Sequence, residues 1–330
     1  MRNDHGLVGG FVVMLVCLLV SCGPSQQPTP PEAEPDTAPP DQALSSPPAS
    51  ASSPVPYEGE AGPSQDGRPL AARVNGHPVY LDVYQQQVAQ TEKALIEQAL
   101  ILDGEEGQAQ LNQIRQNVLN GLIEQALIEQ AAAAEGVVVT DDELETTVQE
   151  SIALGQGQES FDQWLAENGL TMDDFRSIQR SQLIASKMIE HVTVLVPTTT
   201  EQVHARHIRT SDQSSTQILL DELGSGANFA ALAQQASEDD STAANGGDLG
   251  WFPRDVPLMP AVVVETAFAL NPGEISRVVE SEQGYHIVKV EAREANRPLT
   301  PEMLLFARQR AFETWLGEKW SDAVIERYID

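Results

Sequence analysis

Val203-His204-Ala205-Arg206-His207-Ile208 and Gly284-Tyr285-His286-Ile287-Val288-Lys289-Val290 are two β-patterned segments that each place a histidine inside an apolar run. Between them lies the glycine-rich turn Gly246-Gly247-Asp248-Leu249-Gly250-Trp251. Alternate residues of a strand point to the same face, so His207 shares a face with Val203 and Ala205. By the same rule His286 shares a face with Val288 and Val290. The pattern predicts that both rings point inwards and meet.

These segments, in this order, resemble the parvulin family of peptidyl-prolyl cis/trans isomerases, whose domain opens on a strand ending in His-Ile or His-Leu and closes on Gly-x-His-Ile. The resemblance covers roughly residues 200 to 293. Further segments in the family's order are Phe229-Ala230, Ser237-Glu238-Asp239, Ala267-Phe268-Ala269-Leu270 and Gly273-Glu274-Ile275-Ser276. The resemblance implies an enzyme that isomerises X-Pro bonds, in an α+β domain with an antiparallel sheet flanked by helices.

The same resemblance assigns catalytic positions to His207, Asp240, Ser281 and His286. Asp240 matches the family's Cys or Asp near the prolyl carbonyl, and Ser281 matches the hydroxyl that supports the histidine network. Asp239 is expected to be solvated or to cap a turn. Two roles for the histidine pair, one structural and one directly catalytic, remain open.

Isomerisation needs neither a covalent step nor a cofactor, because the bond only rotates. The partial double bond of an amide sets a rotation barrier of about 18–20 kcal/mol, and X-Pro isomers exchange over tens to hundreds of seconds. A catalyst must favour the twisted amide over the planar one. We therefore expect an apolar slot beside a small polar cluster, with no metal. His204 lies on the strand face opposite to His207, which disfavours a His-x-x-His metal pair.

The resemblance places Leu249, Met259 and Val263 around the proline ring. Val263 departs from the family, where this position is usually aromatic, and the missing ring removes on the order of 1–2 kcal/mol of apolar contact. Phe268 or Phe252 is a candidate replacement.

Charge excludes one class of partner. The chain carries a net charge of −30, and its acidic residues are spread over every segment. Nucleic-acid binding needs a basic surface, so we expect no nucleic-acid partner. Phosphate-directed parvulins carry a basic cluster after the first strand. The corresponding loop, 209–215, has a single arginine, Arg209, which makes phosphate-directed specificity unexpected.

The N-terminus predicts export and lipid attachment. An apolar run from Leu7 to Val20 is too short for a membrane span but suits a signal peptide over residues 1–21. Leu19-Val20-Ser21-Cys22 resembles a bacterial lipobox, so Cys22 is the expected lipidated residue, and Gly23 after it favours an outer membrane facing the periplasm. A plain secretory signal and an uncleaved anchor helix are the alternatives. Residues 22–68 are rich in Pro, Ser and acidic residues, which is typical of a disordered tether.

The remaining chain is predicted to be a helical domain that is interrupted by the parvulin domain. Residues 69–197 begin with a β-turn-β pattern around Asn75-Gly76 and continue with helices, two of which start at Thr140-x-x-Glu143 and Thr171-x-x-Asp174. Residues 198–296 are the parvulin-like domain, and 297–330 form a final helix expected to pack on the first domain. This order resembles SurA-type and PrsA-type bacterial foldases.

The function predicted from the sequence is therefore a prolyl isomerase that assists the folding of exported proteins. Its partners would be unfolded or folding exported polypeptides with X-Pro bonds, and a membrane reached through the lipid anchor. The alternative is a holdase chaperone whose parvulin domain binds extended peptides with little or no activity. Val263 favours the alternative, whereas the set of His207, Asp240 and His286 favours the isomerase.

Overall fold

A computed structural model describes residues 67–97, 104–255 and 259–329. The chain divides into two compact units. The first comprises the N-terminal part up to His191 together with Glu313–Asp330, and the second comprises Val192–Phe312. Within the described ranges no helix has the length and apolar character needed to cross a membrane. The predicted signal peptide, Cys22 and the tether up to residue 66 lie outside the described residues.

The chain passes through the first unit, then the second, and ends in the first. The elements of the first unit before the second begins are β1 (Leu70–Val74), β2 (His77–Tyr80), α1 (Leu81–Glu97), α2 (Gly104–Glu135), α3 (Asp141–Leu154), α4 (Gln158–Glu167) and α5 (Met172–Thr193). Those that follow are β3 (Thr199–Thr210), α6 (Gln213–Gly224), α7 (Phe229–Ala236), β4 (Asp248–Pro253), α8 (Ala261–Ala269), β5 (Val279–Ser281), β6 (Gly284–Pro298), α9 (Pro301–Asp322) and β7 (Ile325–Arg327).

The first unit is built on a three-stranded sheet of order β2-β1-β7. The predicted hairpin is confirmed: β1 pairs with β2, and Asn75 and Gly76 take φ values of 50° and 83°, as a tight primed turn requires. The strand β7 was not predicted, because the sequence pattern of residues 297–330 indicates only a helix. It pairs antiparallel with β1, and Asn75 is also bonded through its backbone N–H and its side-chain oxygen to Val324.

Helix α3 of the first unit begins as its sequence predicts. Thr140 accepts a hydrogen bond from the Glu143 backbone N–H at 3.3 Å, and the Glu143 carboxylate accepts one from the Thr140 backbone N–H at 2.8 Å. This reciprocal pairing satisfies two donors that the helix itself leaves free. Thr171 and Asp174 make the same exchange at the start of α5. The helices then bury a common apolar cluster that includes Val148, Phe161 and Phe175.

The second unit is an antiparallel sheet of order β4-β3-β6-β5 with helices on both faces. Alternation along the strands divides its apolar residues into two clusters. On one face α8 packs its residues Val263, Val264, Ala267 and Phe268 against the strand residues Val203, Ala205, Phe252, Val288 and Val290. On the other face α6 and α7 cover Ile208 and Ile287 with Leu219, Leu223, Phe229, Leu232 and Ala233. The predicted α+β class, with an antiparallel sheet flanked by helices, is confirmed.

Candidate active site

The two predicted histidines meet in the second unit, where β3 lies beside β6. Their ring centroids are 5.6 Å apart and the planes are inclined by 30°. His207 is 4% exposed and His286 is fully buried. The alternation of the two strands is what brings the rings together, since His207 lies opposite Val288, and His286 lies opposite Arg209. The pair is thus a buried feature of the sheet rather than an open surface.

The carboxylate beside the pair belongs to Asp239, and the assignment to Asp240 is corrected. The Oδ2 atom of Asp239 lies 2.6 Å from Nε2 of His207, whereas Asp240 is exposed. Asp239 also caps its own turn, because its Oδ1 atom accepts hydrogen bonds from the backbone N–H and the hydroxyl of Ser241. The sequence prediction of a turn-capping Asp239 is therefore confirmed, but the same carboxylate also reaches the histidine.

The loop after α7 explains why the first aspartate faces inwards. The backbone N–H of Glu238 donates to the Arg209 carbonyl at 2.7 Å, and the Glu238 carboxylate accepts from the Ser211 backbone N–H at 3.0 Å. These bonds fix Glu238 against the end of β3 on its outer side. In an extended segment the next side chain points the other way, so Asp239 turns towards His207. Spacing along the sequence alone does not reveal this anchoring.

Thr242 is a site residue that sequence reasoning missed. Its hydroxyl donates to Oδ2 of Asp239 at 2.6 Å and lies 3.1 Å from Nε2 of His207. A carboxylate only accepts hydrogen bonds, so Nε2 of His207 carries the proton in this arrangement. The Nδ1 atom of the neutral ring is then an acceptor, and it is buried without a hydrogen-bond partner. The sequence offers one signal for Thr242: it follows Asp239 by three residues, where a turn closes.

Ser281, the hydroxyl that the resemblance assigns to the histidine network, lies at the end of β5. Its hydroxyl is 2.7 Å from Nε2 of His286, and it accepts a hydrogen bond from the Gln283 backbone N–H at 3.0 Å. Gly284 closes the turn between β5 and β6 with a φ of 119°, and a Cβ atom there would lie 2.5 Å from the Thr210 carbonyl oxygen. The turn therefore approaches β3 as closely as only glycine permits.

Burial and hydrogen bonds set the charges of the site. Burial lowers the pKa of His207 against the opposing effect of Asp239, and burial, assisted by the charges of His207 and Arg209, lowers the pKa of His286 to about 4. Burial tends to raise the pKa of Asp239, but the hydrogen bonds from Thr242, Ser241 and His207 outweigh it and hold that pKa well below its usual range. At neutral pH the site therefore holds two neutral imidazoles and one carboxylate.

The four predicted proline-pocket residues belong to one apolar cluster but differ in exposure. Leu249 and Met259 are partly buried, whereas Val263 is fully buried and Phe268 is 6% exposed. The ring of Phe268 meets the edge of Phe252 at 6.2 Å and is covered by the Arg254 guanidinium at 4.5 Å. Of the two candidate replacements for the missing ring, Phe252 is fully buried and Phe268 is engaged in core contacts. Compensation by either ring stays a prediction.

His204 lies on the opposite face of the sheet, as predicted. Its Nε2 atom is 2.8 Å from the Asp248 carboxylate, and its ring stacks on Trp251 at 5.6 Å. Across the described part of the chain no group of three or more His, Cys, Asp or Glu side chains is placed to hold a metal ion. The polar cluster of the second unit is thus the two histidines, Asp239, Thr242 and Ser281.

Comparisons with known proteins agree with this geometry. Residues 191–292 match the family model of the PPIC-type PPIase domain, and residues 57–189 match that of the SurA-like N-terminal domain. The two matches follow one another along the chain. Together with the buried histidine pair, they define the second unit as a peptidyl-prolyl isomerase domain of the parvulin class.

Relatives identify the combination of the two domains. The foldase protein PrsA of Caldanaerobacter subterraneus subsp. tengcongensis is 30% identical over 241 residues, which are 67% of this chain and 73% of that protein. PrsA of Geobacillus sp. is 37% identical over 97 residues, 29% of this chain and 34% of the relative. The crystal structure of the peptidylprolyl isomerase PrsA from Bacillus anthracis is 26% identical, with 62% of this chain and 95% of that chain covered and a TM-score of 0.41.

The chain belongs to the PrsA foldase family. The predicted resemblance to parvulins and to SurA-type and PrsA-type foldases is confirmed, and so is peptidyl-prolyl isomerase activity in the service of protein folding. The holdase alternative with an inactive parvulin domain is not favoured. The roles of the individual site residues stay predictions.

Proposed function

We propose that Asp239 is the catalytic group of the isomerase and that His207, His286, Ser281 and Thr242 position it. One observation carries this assignment: the Asp239 side chain is 18% exposed, whereas the His207 side chain bonded to it is 6% exposed. A substrate can therefore touch the carboxylate but not the two rings behind it. Of the two roles left open for the histidines, burial supports the positioning one.

The charge of Asp239 supplies a reason for catalysis. In the planar amide, conjugation places negative charge on the carbonyl oxygen, and twisting the C–N bond removes it. A fixed carboxylate beside that oxygen raises the energy of the planar form more than that of the twisted form, which lowers the barrier. The hydrogen bonds from Thr242, Ser241 and His207 keep Asp239 ionised, so the effect persists over the neutral pH range.

Leu249 and Met259 are the side chains proposed to contact the proline ring, because both lie partly open beside the core cluster. Val263 forms the floor beneath them rather than a wall, since it is fully buried. A shallow apolar contact of this kind gives modest affinity for a single proline. It suits an enzyme that acts briefly on many different unfolded chains.

The test compares three forms of the protein in an assay of cis-to-trans isomerisation of short X-Pro peptides. Asp239→Asn removes the charge at constant size and should lower kcat/KM by roughly tenfold or more, about 1.4 kcal/mol of transition-state stabilisation. Asp240→Asn is the matched control and should stay within about twofold of the parent. A larger loss in Asp240→Asn than in Asp239→Asn would return the catalytic role to Asp240.

We further infer that the protein works on exported polypeptides at the bacterial cell envelope. The support is the sequence of the N-terminus, in which the lipobox-like Leu19-Val20-Ser21-Cys22 precedes a Pro-rich acidic tether. Multiple acyl chains would hold Cys22 firmly in a membrane, and the tether would let the folded part act at a distance from it. Radiolabelled fatty acid should enter the parent and not Cys22→Ala. Fractionation of the envelope then assigns the outer or the inner membrane.

The proposed domains are 69–197 with 297–330 as one domain and 198–296 as an insertion. The compact units divide at His191 and Phe312 instead, so 192–197 and 297–312 lie with the second unit. Support comes from β7, whose pairing with β1 joins a segment after the insertion to a segment before it in one sheet. An insertion of this kind lets each domain keep its own core.

A further inference from the structure

Arg209 is a charged residue that the site as described does not yet use. It follows His207 by two positions on β3 and is the direct cross-strand partner of His286 on β6. Residues two apart on a strand, and residues directly opposite on neighbouring strands, share one face of a sheet. The Arg209 side chain therefore starts from the face of the sheet that carries both histidine rings.

From this position the guanidinium bridges the two loops of the site. Its Nη1 donates to the Gln283 carbonyl at 3.2 Å, and its Nη2 donates to the Glu238 carbonyl. Glu238 directly precedes Asp239, and Gln283 lies in the turn that carries Ser281. One side chain thus joins the segment that holds the carboxylate to the segment that holds the hydroxyl.

The backbone of Arg209 strengthens the same junction. Its N–H donates to the Ser237 hydroxyl at 3.2 Å, and its carbonyl accepts from the Glu238 N–H at 2.7 Å. Loops move more than the strands they connect unless such bonds hold them. The contacts of Arg209 therefore fix both loops to the strand on which His207 stands.

The charge of Arg209 also acts on the pair. Burial is the largest cause that lowers the pKa of both His207 and His286; the charge of Arg209 adds to it, while Asp239 acts in the opposite direction. Around the two rings Asp239 is the facing anion and Arg209 the facing cation. The other neighbours given by strand register, Val288 opposite His207 and Val279 opposite His286, are apolar, and β5 contributes the Ser281 hydroxyl.

We propose that Arg209 is a positioning residue of the isomerase: its guanidinium holds the loops of Asp239 and Ser281 in register with the strand that carries His207. Displacement of a reacting group by 1 Å can lower the rate by roughly a hundredfold, so the hydrogen bonds that hold the two loops matter for kcat. The proposal rests on the proposed function, because it takes Asp239 as the catalytic group.

Two substitutions in the full chain separate the two effects. Arg209→Gln removes the charge and most of the bridge, and Arg209→Lys keeps the charge but cannot reach both carbonyls with one planar group. Arg206→Gln is the matched control: Arg206 is on the same strand and also bonds loop carbonyls, at Asn245 and Gly246, but lies on the other face. The readouts are kcat and KM from pH 4 to pH 8, and NMR titration of the two histidines.

In Arg209→Gln we expect kcat to fall by roughly tenfold with KM nearly unchanged, since Arg209 does not touch the substrate. The histidine titrations and the acidic limb of the rate profile should move to higher pH. Arg209→Lys should lower kcat but leave both titrations as in the parent, and Arg206→Gln should leave them unchanged too.

The proposal is overturned if Arg209→Gln leaves kcat and both titrations at their parental values, or if its loss is entirely in KM. Equal shifts of the titrations in Arg206→Gln would also overturn it, because they would show a general effect of net charge. If Arg209→Gln does not fold, Arg209→Lys decides: parental kcat in that variant refutes the bridge. The NMR titration needs no turnover, so it tests Arg209 even where Asp239→Asn refutes the catalytic carboxylate.

Discussion

Gly247 offers a sharp test of how the site is built. Its carbonyl accepts the His207 backbone N–H at 2.8 Å, and its φ is +73°. A Cβ atom at this position would lie 2.0 Å from the His207 carbonyl oxygen and 3.2 Å from the Ala233 Cβ atom. Gly247→Ala must therefore push the turn away from the strand that carries the histidine.

The magnitude follows from two contributions. An alanine in the left-handed region costs roughly 1–2 kcal/mol. Separation of the turn from β3 weakens a backbone hydrogen bond worth about 1 kcal/mol, and the clash adds to both. We expect Gly247→Ala to destabilise the second unit by about 2–4 kcal/mol. His207 would shift with the strand, so kcat should fall by at least about tenfold.

Gly250→Ala is the matched control. Gly250 is also left-handed, with a φ of +69°, but a Cβ atom there meets nothing within 4 Å. Gly250→Ala should destabilise the second unit only by the backbone contribution of about 1–2 kcal/mol, and its kcat should stay near the parental value. Hydrogen exchange of peptides from β3 and β4 measures the stability locally, which avoids assuming that the two units unfold together. Equal destabilisation and equal rates in the two variants would refute the argument from close approach.

Four further outcomes are expected. The second unit should lose about 3 kcal/mol of stability as the pH falls from about 6.5 to about 4, because His286 binds a proton in the unfolded chain but not when buried. Chemical denaturation across this range should show a flatter pH dependence for His286→Gln than for the parent. The first unit should show the opposite trend. Burial raises the pKa of Glu124 to about 7, so its stability should fall as the pH rises from about 4.5 to 7, and Glu124→Gln should remove that fall. Val263→Phe should destabilise the second unit by about 1–3 kcal/mol and give no gain of activity, because Val263 is fully buried and a larger side chain would overpack the core; faster isomerisation would contradict this. Deletion of Ile325–Arg327 with the residues after it should lower the melting temperature of the first unit only, and an unchanged thermogram would argue against the sheet pairing.

Local patterns were sufficient for much of the fold. Asn75-Gly76 predicts its turn because few residues tolerate two successive positive φ values, and Thr140 with Glu143 predicts a helix start because both partners lie within one turn. The alternation around His207 and His286 likewise predicts that their rings share a face. Each of these patterns depends on neighbours a few residues away.

Residues far apart in sequence decided the rest. Asp239 rather than Asp240 faces His207 because Glu238 is bonded to Arg209 and Ser211, some thirty positions earlier in the chain. Ile325–Arg327 is a strand because β1, about 250 positions earlier in the chain, offers it an edge. A three-residue segment has no periodicity of its own, so its structure comes from its partner.

The sequence by itself therefore determined the class of the protein, the strands of its catalytic domain and the pair of histidines, since all of these are carried by short segments in a fixed order. Only the tertiary structure decided which carboxylate joins the pair, that the Thr242 hydroxyl joins it too, and that Val263 and Phe268 lie in the core. The physical reason is that side-chain direction within a loop, and burial at a helix face, depend on hydrogen bonds and packing between segments distant in sequence.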